Sequence, residues 1–147
     1  MAHAGRRILV AALIAGALDI AAAAILALQA GRTPDRMLRG VASGPFPDAT
    51  GWGAAGAVLG LAVHFAIMAV MAAVFVLAAD RLPPLKARRV AAGIGYGIAT
   101  WAVMNLVVLP LRWPAVFPHL DPQTVATQLF CHIVLVGIPI ALVAARR

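Results

Sequence analysis

Residues Trp52–Ala79 read WGAAGAVLGLAVHFAIMAVMAAVFVLAA, with no charged side chain anywhere in the run. Crossing about 30 Å of hydrocarbon takes about 20 residues of α-helix. This run exceeds that length. In lipid a backbone must satisfy its own hydrogen bonds, so a spanning run of this kind is helical. Three further runs share its character, at about Ile8–Ala30, Val90–Leu109 and Gln123–Ala145. The pattern predicts an all-α fold, an integral membrane four-helix bundle forming a single transmembrane domain over residues 1–147.

The composition of the whole chain agrees. Of its 147 residues, 63% are hydrophobic and 12% charged, and the mean hydropathy is +0.96. A soluble domain is typically about 45–50% apolar and about 25% charged. The net charge of +7 raises nucleic acid as a partner. It is set aside because the basic residues cluster at the ends of apolar runs, where they act as topology signals and headgroup contacts. The partner expected is membrane lipid, with no nucleic acid. The single cysteine, Cys131, leaves no internal disulfide and no cysteine-based zinc cage. No phosphate loop or nucleophile elbow occurs, and no catalytic residues are assigned.

The first run follows Arg6 and Arg7 and ends on the small residue Ala30, as a signal peptide would. It is longer than an h-region of about 7–15 residues and is read as a retained helix. Orientation follows from Lys and Arg placement. Arg6, Arg7, Arg81, Lys86, Arg88, Arg89, Arg146 and Arg147 lie on one side; Arg32, Arg36, Arg39 and Arg112 lie on the other. Both termini are therefore expected in the cytoplasm. Trp52, Trp113 and Phe117 then fall at the outer interface.

The outer loops carry their own signals. Thr33-Pro34 is an N-cap followed by proline at the first helical position. Met37, Leu38, Val41 and Ala42 then share one face, with Asp35, Arg36, Arg39 and Ser43 opposite. This predicts a short interfacial helix over about 34–43. Prolines at 110, 114, 118 and 122 predict that no helix continues there, leaving an extended cap over the bundle mouth.

Membrane bundles pack through small residues. At 100° per residue, Asp19 shares a face with Ala12, Ala15, Gly16, Ala22, Ala23 and Ala30. Gly53, Ala57, Gly60, His64, Met68, Met71 and Phe75 form a second stripe. Gly93, Gly97, Thr100 and Met104 form a third, beside Trp101 and Asn105. Asp121, Gln128, His132 and Pro139 form the fourth. Asp19, His64 and His132 lie near the middle of their spans, and Asn105 nearer the outer surface. Ionisable residues at membrane depth are functional-site candidates. The candidate buried polar locus is thus Asp19, His64, Asn105 and His132, supported by Thr100, Gln128, Met68 and Met104. Asp19 is expected to be neutral or paired with His64 or His132.

Several segments resemble a family of small, uncharacterised bacterial inner-membrane proteins with four predicted transmembrane helices. These are Leu61-Ala-Val-His64-Phe65, Met104-Asn105-Leu-Val-Val-Leu-Pro110-Leu, His132-Ile-Val-Leu-Val-Gly137-Ile-Pro139-Ile-Ala-Leu and Arg39-Gly40-Val-Ala-Ser43-Gly44. The resemblance covers most of the chain and implies a bacterial inner (plasma) membrane location. It implies no activity.

Three functional readings follow. The polar residues fix helix register, with an accessory role beside larger partners. Alternatively they handle protons, ions or a small solute, with Asp121, Thr124 and Gln128 leading inward to His132. A bundle this narrow would then work as a homo-oligomer or within a larger membrane complex. The third reading is a b-type haem between His64 and His132, with space at Gly60 and Gly97 and propionates near Arg36, Arg39 and Arg112. A copper site using His64, Met68, Met71, Cys131 and His132 is a weaker variant. No cofactor is assigned on the first two readings.

Overall fold

In a computed structural model, residues 2–146 are described; Arg147, used in the charge count, lies outside them. The chain is all-α. Helix α1 spans Ala2–Gln29, α2 Pro34–Ala42, α3 Gly53–Arg81 and α4 Pro83–Ala87. Helix α5 spans Arg89–Arg112 and α6 Pro122–Ala144. Four of these, α1, α3, α5 and α6, are long and apolar enough to cross a membrane. A 3-10 turn over Pro47–Gly51 joins α2 to α3.

Local chemistry sets the ends. Helix α1 stops where Gly31 adopts a left-handed φ of 69°. Arg32 N–H then donates to the Ala27 carbonyl at 2.8 Å and Gly31 N–H to Leu28 at 3.0 Å. That pair of bonds is a Schellman cap, which favours glycine at this position. Thr33 occupies the N-cap position of α2 with Pro34 behind it, although its side chain makes no capping bond. Ser43, expected on the exposed face, is buried; its hydroxyl donates to Gly40 O at 2.7 Å.

Pro110 does not end α5, contrary to the expectation from the proline spacing. A proline ring clashes with the carbonyl four residues back in a regular α-helix. Here the turn over Met104–Val108 widens to π geometry just before Pro110, which makes room for the ring. The same device recurs in α6, where Cys131–Gly137 is π-helical just before Pro139. The helix therefore runs to Arg112, and only the segment from 113 to 121 is irregular.

Helix α1 packs between α3 and α6, and α5 packs on α6. The α5–α6 contact is a glycine seam: a Cβ on Gly97 would meet backbone at His132 and Ile133, and one on Gly137 would meet backbone at Gly93 and Gly97. Such close approach is how helices associate where no hydrophobic drive exists. Helix α2 lies along the flank of α3, with the Leu38 carbonyl against Gly60. Gly60 is about 10 Å along α3 from its start. Arg112 ties α5 to the end of α2, donating to Gly44 O at 2.8 Å and Ser43 O at 2.9 Å.

The main apolar core occupies the half of the bundle that carries both termini. It is built from Ala11, Ala12 and Ala15, from Met68, Ala72, Phe75, Val76 and Ala79, and from Val136, Ile140, Ala141, Val143 and Ala144. Asp80 closes that end. Arg7 grips its carboxylate through both terminal nitrogens, at 2.9 and 2.6 Å, and Lys86 donates at 2.6 Å. Arg7 also donates to the Ala144 carbonyl at 2.9 Å. Four helical segments meet at this one group.

Candidate functional site

The half of the bundle that carries the long loops holds the polar side chains. His64, Thr100 and Asn105 are buried there; Asp19, Gln128 and His132 are half-buried. The inward face of α1 supplies Asp19 because Ala11, Ala12, Ala15 and Gly16 seat the preceding turns against α3 and α6. Ala30, placed on that face by its position, is exposed.

Gly16 fixes His64. A Cβ at Gly16 would collide with Phe65, so the glycine lets α1 and α3 approach. His64 Nε2 then lies 3.0 Å from the Gly16 carbonyl. A carbonyl only accepts, so Nε2 carries the proton and Nδ1 holds the lone pair. His132 is arranged the other way. Its Nδ1 lies 2.9 Å from the Gln128 carbonyl in its own helix, so Nδ1 donates and Nε2 is the free base.

Asp19 sits within electrostatic reach of His132 and, more weakly, of His64. Cys131 lies in reach of the same carboxyl. Among the described residues the ion pairs are Arg7–Asp80, Lys86–Asp80 and Arg39–Asp35. Asp19 joins none of them and makes no hydrogen bond. Of the two expected states of Asp19, neutral or paired with a histidine, the direct pairing is not made.

The remaining polar groups mostly serve their own helices. Thr100 Oγ1 donates to Gly97 O at 3.1 Å, and Asn105 Nδ2 to Trp101 O at 3.1 Å. No hydrogen bond joins Asn105 to Asp19 or to either histidine. Trp101 Nε1 reaches Gln128 Oε1 at 3.3 Å and links α5 to α6. Met68 belongs to the apolar core and also abuts Gly16; Met104 is half-buried in the widened turn of α5. Asp121 is exposed and caps α6, with Oδ1 accepting the Thr124 N–H at 2.9 Å.

A haem does not fit this packing. Gly60 and Gly97, expected to provide room, are contact points filled by the backbones of α2 and α6. The Nε2 of His64 is protonated and bound to Gly16. Arg112 and Arg39, proposed propionate partners, are committed to the carbonyls of Ser43 and Gly44 and to Asp35 and Thr50. Among the described residues no three His, Cys, Asp or Glu side chains gather as metal ligands.

Sequence reasoning missed two tethers. Asp80 was not singled out, yet it organises the terminal ion network. Tyr96 was not singled out; its hydroxyl donates to Met71 O at 2.7 Å and its ring packs on Phe75 at 4.9 Å. A lone tyrosine one turn before Thr100, inside an apolar run, was the available signal.

The class defined by this architecture is a multi-pass α-helical bundle with four helices fit to span a membrane. No family model, curated protein or solved structure matches the chain.

Proposed function

We propose that the protein is a bacterial inner-membrane bundle, with both termini cytoplasmic, that exchanges protons at Asp19 through the flanking histidines. One observation carries this reading. A carboxyl in the middle of a spanning helix faces two imidazoles electrostatically, yet no hydrogen bond or ion pair holds it. Residues kept only to fix register would bond across helices. Thr100, Asn105 and His132 instead bond within their own helices.

The chemistry is a proton transfer. Protonated Asp19 gives its proton to Nε2 of neutral His132, leaving a carboxylate and an imidazolium; the return step restores both. His64 supplies the second positive partner through Nδ1. The half-buried setting strengthens each interaction relative to water. Gln128 and Thr124 lead outward along α6. A bundle this narrow moves protons across the membrane only as a homo-oligomer or beside a larger partner. The orientation rests on the positive-inside bias, and the location on the family resemblance.

An infrared titration of the detergent-solubilised protein tests this. A protonated-carboxyl band and imidazole bands should change together as the proton moves between them. Asp19→Asn should remove the carboxyl band and leave the fold intact. Identical difference spectra from the wild type and the variant would assign these residues to packing alone.

A further inference from the structure

At the loop end of the bundle a cleft of about 470 Å³ is lined by Arg32, Arg36, Met37, Arg39, Gly40 and Thr50. Three arginines line it, and the nearby Asp35 pairs with one of them, Arg39. Asp35 is already engaged: the Thr33 hydroxyl and the Arg39 guanidinium hold its carboxyl below the ordinary range. It takes Arg39 Nη2 at 3.0 Å, and the Thr50 carbonyl takes Nη1 at 3.2 Å. Arg39 Nε is buried with no partner. A buried donor left without an acceptor carries a desolvation penalty that a bound acceptor removes. The side chains of Arg32 and Arg36 make no hydrogen bond or ion pair among the described residues.

The fold prepares these positions. The Schellman cap at Gly31 turns the chain and sets Arg32 at the entrance to α2. Arg36 and Arg39 then follow at helical spacing on α2, with Arg32 just ahead of the helix. Gly56 lets the Arg39 stem lie against α3: its missing Cβ would meet Arg39 Cγ, the Ala49 carbonyl and Trp52.

We infer that this cleft binds a phosphate-bearing anion of headgroup size. Guanidiniums match phosphate oxygens by paired N–H donation. The volume exceeds that of inorganic phosphate, and Met37 and Gly40 offer wall to a larger group. The comparable cleft at the opposite end, about 500 Å³ and lined by Arg7, Lys86 and Arg146 among others, differs in one respect. There Asp80 already takes Arg7 and Lys86. At the loop end two of the three cations lack any protein acceptor.

Native mass spectrometry of the protein in neutral detergent tests the inference, titrating phosphatidylglycerol, phosphatidylcholine and inorganic phosphate separately. Phosphatidylglycerol should be retained over phosphatidylcholine. Each basic residue near a lipid surface contributes roughly fivefold in affinity, so Arg32→Gln/Arg36→Gln should weaken retention about 25-fold. Arg146→Gln should leave it unchanged. Retention that inorganic phosphate does not displace supports a lipid headgroup as the source; displacement by phosphate supports a soluble phosphate compound in the same site. Equal retention by the wild type and the double variant overturns the inference. Both arginines are exposed and unbonded, so the variant should fold, and its melting curve verifies this. Should it melt early, Arg36→Gln alone, expected to lose about fivefold, replaces it.

Discussion

The two halves of the bundle are built on opposite principles. The half carrying the termini is filled by alanine, valine, isoleucine and phenylalanine, and its end is locked by the Asp80 network. The half carrying the loops buries His64, Asn105 and Thr100 and contains most of both widened turns. In the first half contacts run between helices. In the second, polar side chains mostly bond to carbonyls within their own helix. Small residues thus build a close-packed platform, and the polar half keeps groups that are not consumed in holding it together. π-turns often occur at functional sites, and both here coincide with a member of the polar locus, Asn105 in α5 and His132 in α6.

The largest test strikes the platform at its closest approach. Gly137→Val drives a branched side chain into the backbone of Gly93 and Gly97. Overpacking typically costs about 1–3 kcal/mol, and a backbone obstacle places this variant at about 3 kcal/mol or beyond. Gly95, between Gly93 and Gly97 on α5 but exposed, has nothing within reach of an added Cβ. Gly95→Ala should raise stability by about 0.5–1 kcal/mol. Chemical denaturation in detergent, followed by circular dichroism, distinguishes the two. A Gly137 variant as stable as the wild type would break the close-packed description.

Next in size is Asp80→Asn. Arg7 and Asp80 are 16% and 31% exposed, intermediate between a surface pair and a buried one. Removing the carboxylate leaves Arg7 and Lys86 without their counter-charge, with an expected loss of about 1–2 kcal/mol. Asp35→Asn, on the more exposed Arg39 pair, should change stability little by the same denaturation measurement. Equal losses from the two variants would remove the distinction between the locked end and the open one.

A smaller effect is expected at the polar locus. Asp19 makes no hydrogen bond, so Asp19→Leu should stay within about 1 kcal/mol of the wild type and lose the titrating carboxyl band. A large loss of stability would turn Asp19 into a structural residue and weaken the proton-exchange reading.

The four spanning helices were legible because each is a long apolar run, and hydropathy survives small errors in register. Helical phase was less robust. A wheel at 100° per residue places Gln128, His132 and Pro139 on one inward stripe of α6. A π-turn fits an extra residue into the turn and shifts the phase, and beyond Cys131 the buried positions are Val136, Gly137, Ile140, Ala141, Val143 and Ala144. Pro110 and Pro139 were visible as prolines; whether each would stop the helix or widen it depends on neighbouring packing. Gly60 and Gly97 were read as room for a ring, whereas a glycine in a membrane helix equally marks contact, and only the partner backbone decides which. Asp19, His64 and His132 stood out as polar residues in apolar runs. That Asp19 would remain unpaired was not legible, because pairing turns on side-chain distances that spacing does not specify. Charge counting likewise treated Arg7 as a topology signal and missed its grip on Asp80.

The smallest expected effect sharpens the comparison at the loop end. Helix α6 starts at Asp121, whose Oδ1 accepts the Thr124 N–H at 2.9 Å, with Pro122 as first helical residue. That N–H, followed by the Thr124 hydroxyl, holds the Asp121 carboxyl below its ordinary value of 3.8. A group with a depressed folded pKa binds protons more readily unfolded than folded. Its contribution to stability is therefore fully present above 3.8 and is lost as pH falls through the lower, folded value. Asp121 is exposed and acts on one helical turn, so the loss should be local. The amide proton shift of Thr124, followed by NMR in detergent micelles, should titrate with a midpoint below 3.8. Asp121→Asn caps a helix about as well as aspartate does but does not titrate, so its Thr124 shift should stay flat over the same range. A wild-type midpoint at or above 3.8 would mean that the cap does not stabilise the carboxylate. The start of α6 would then owe its position to Pro122 and to packing on α5 rather than to Asp121.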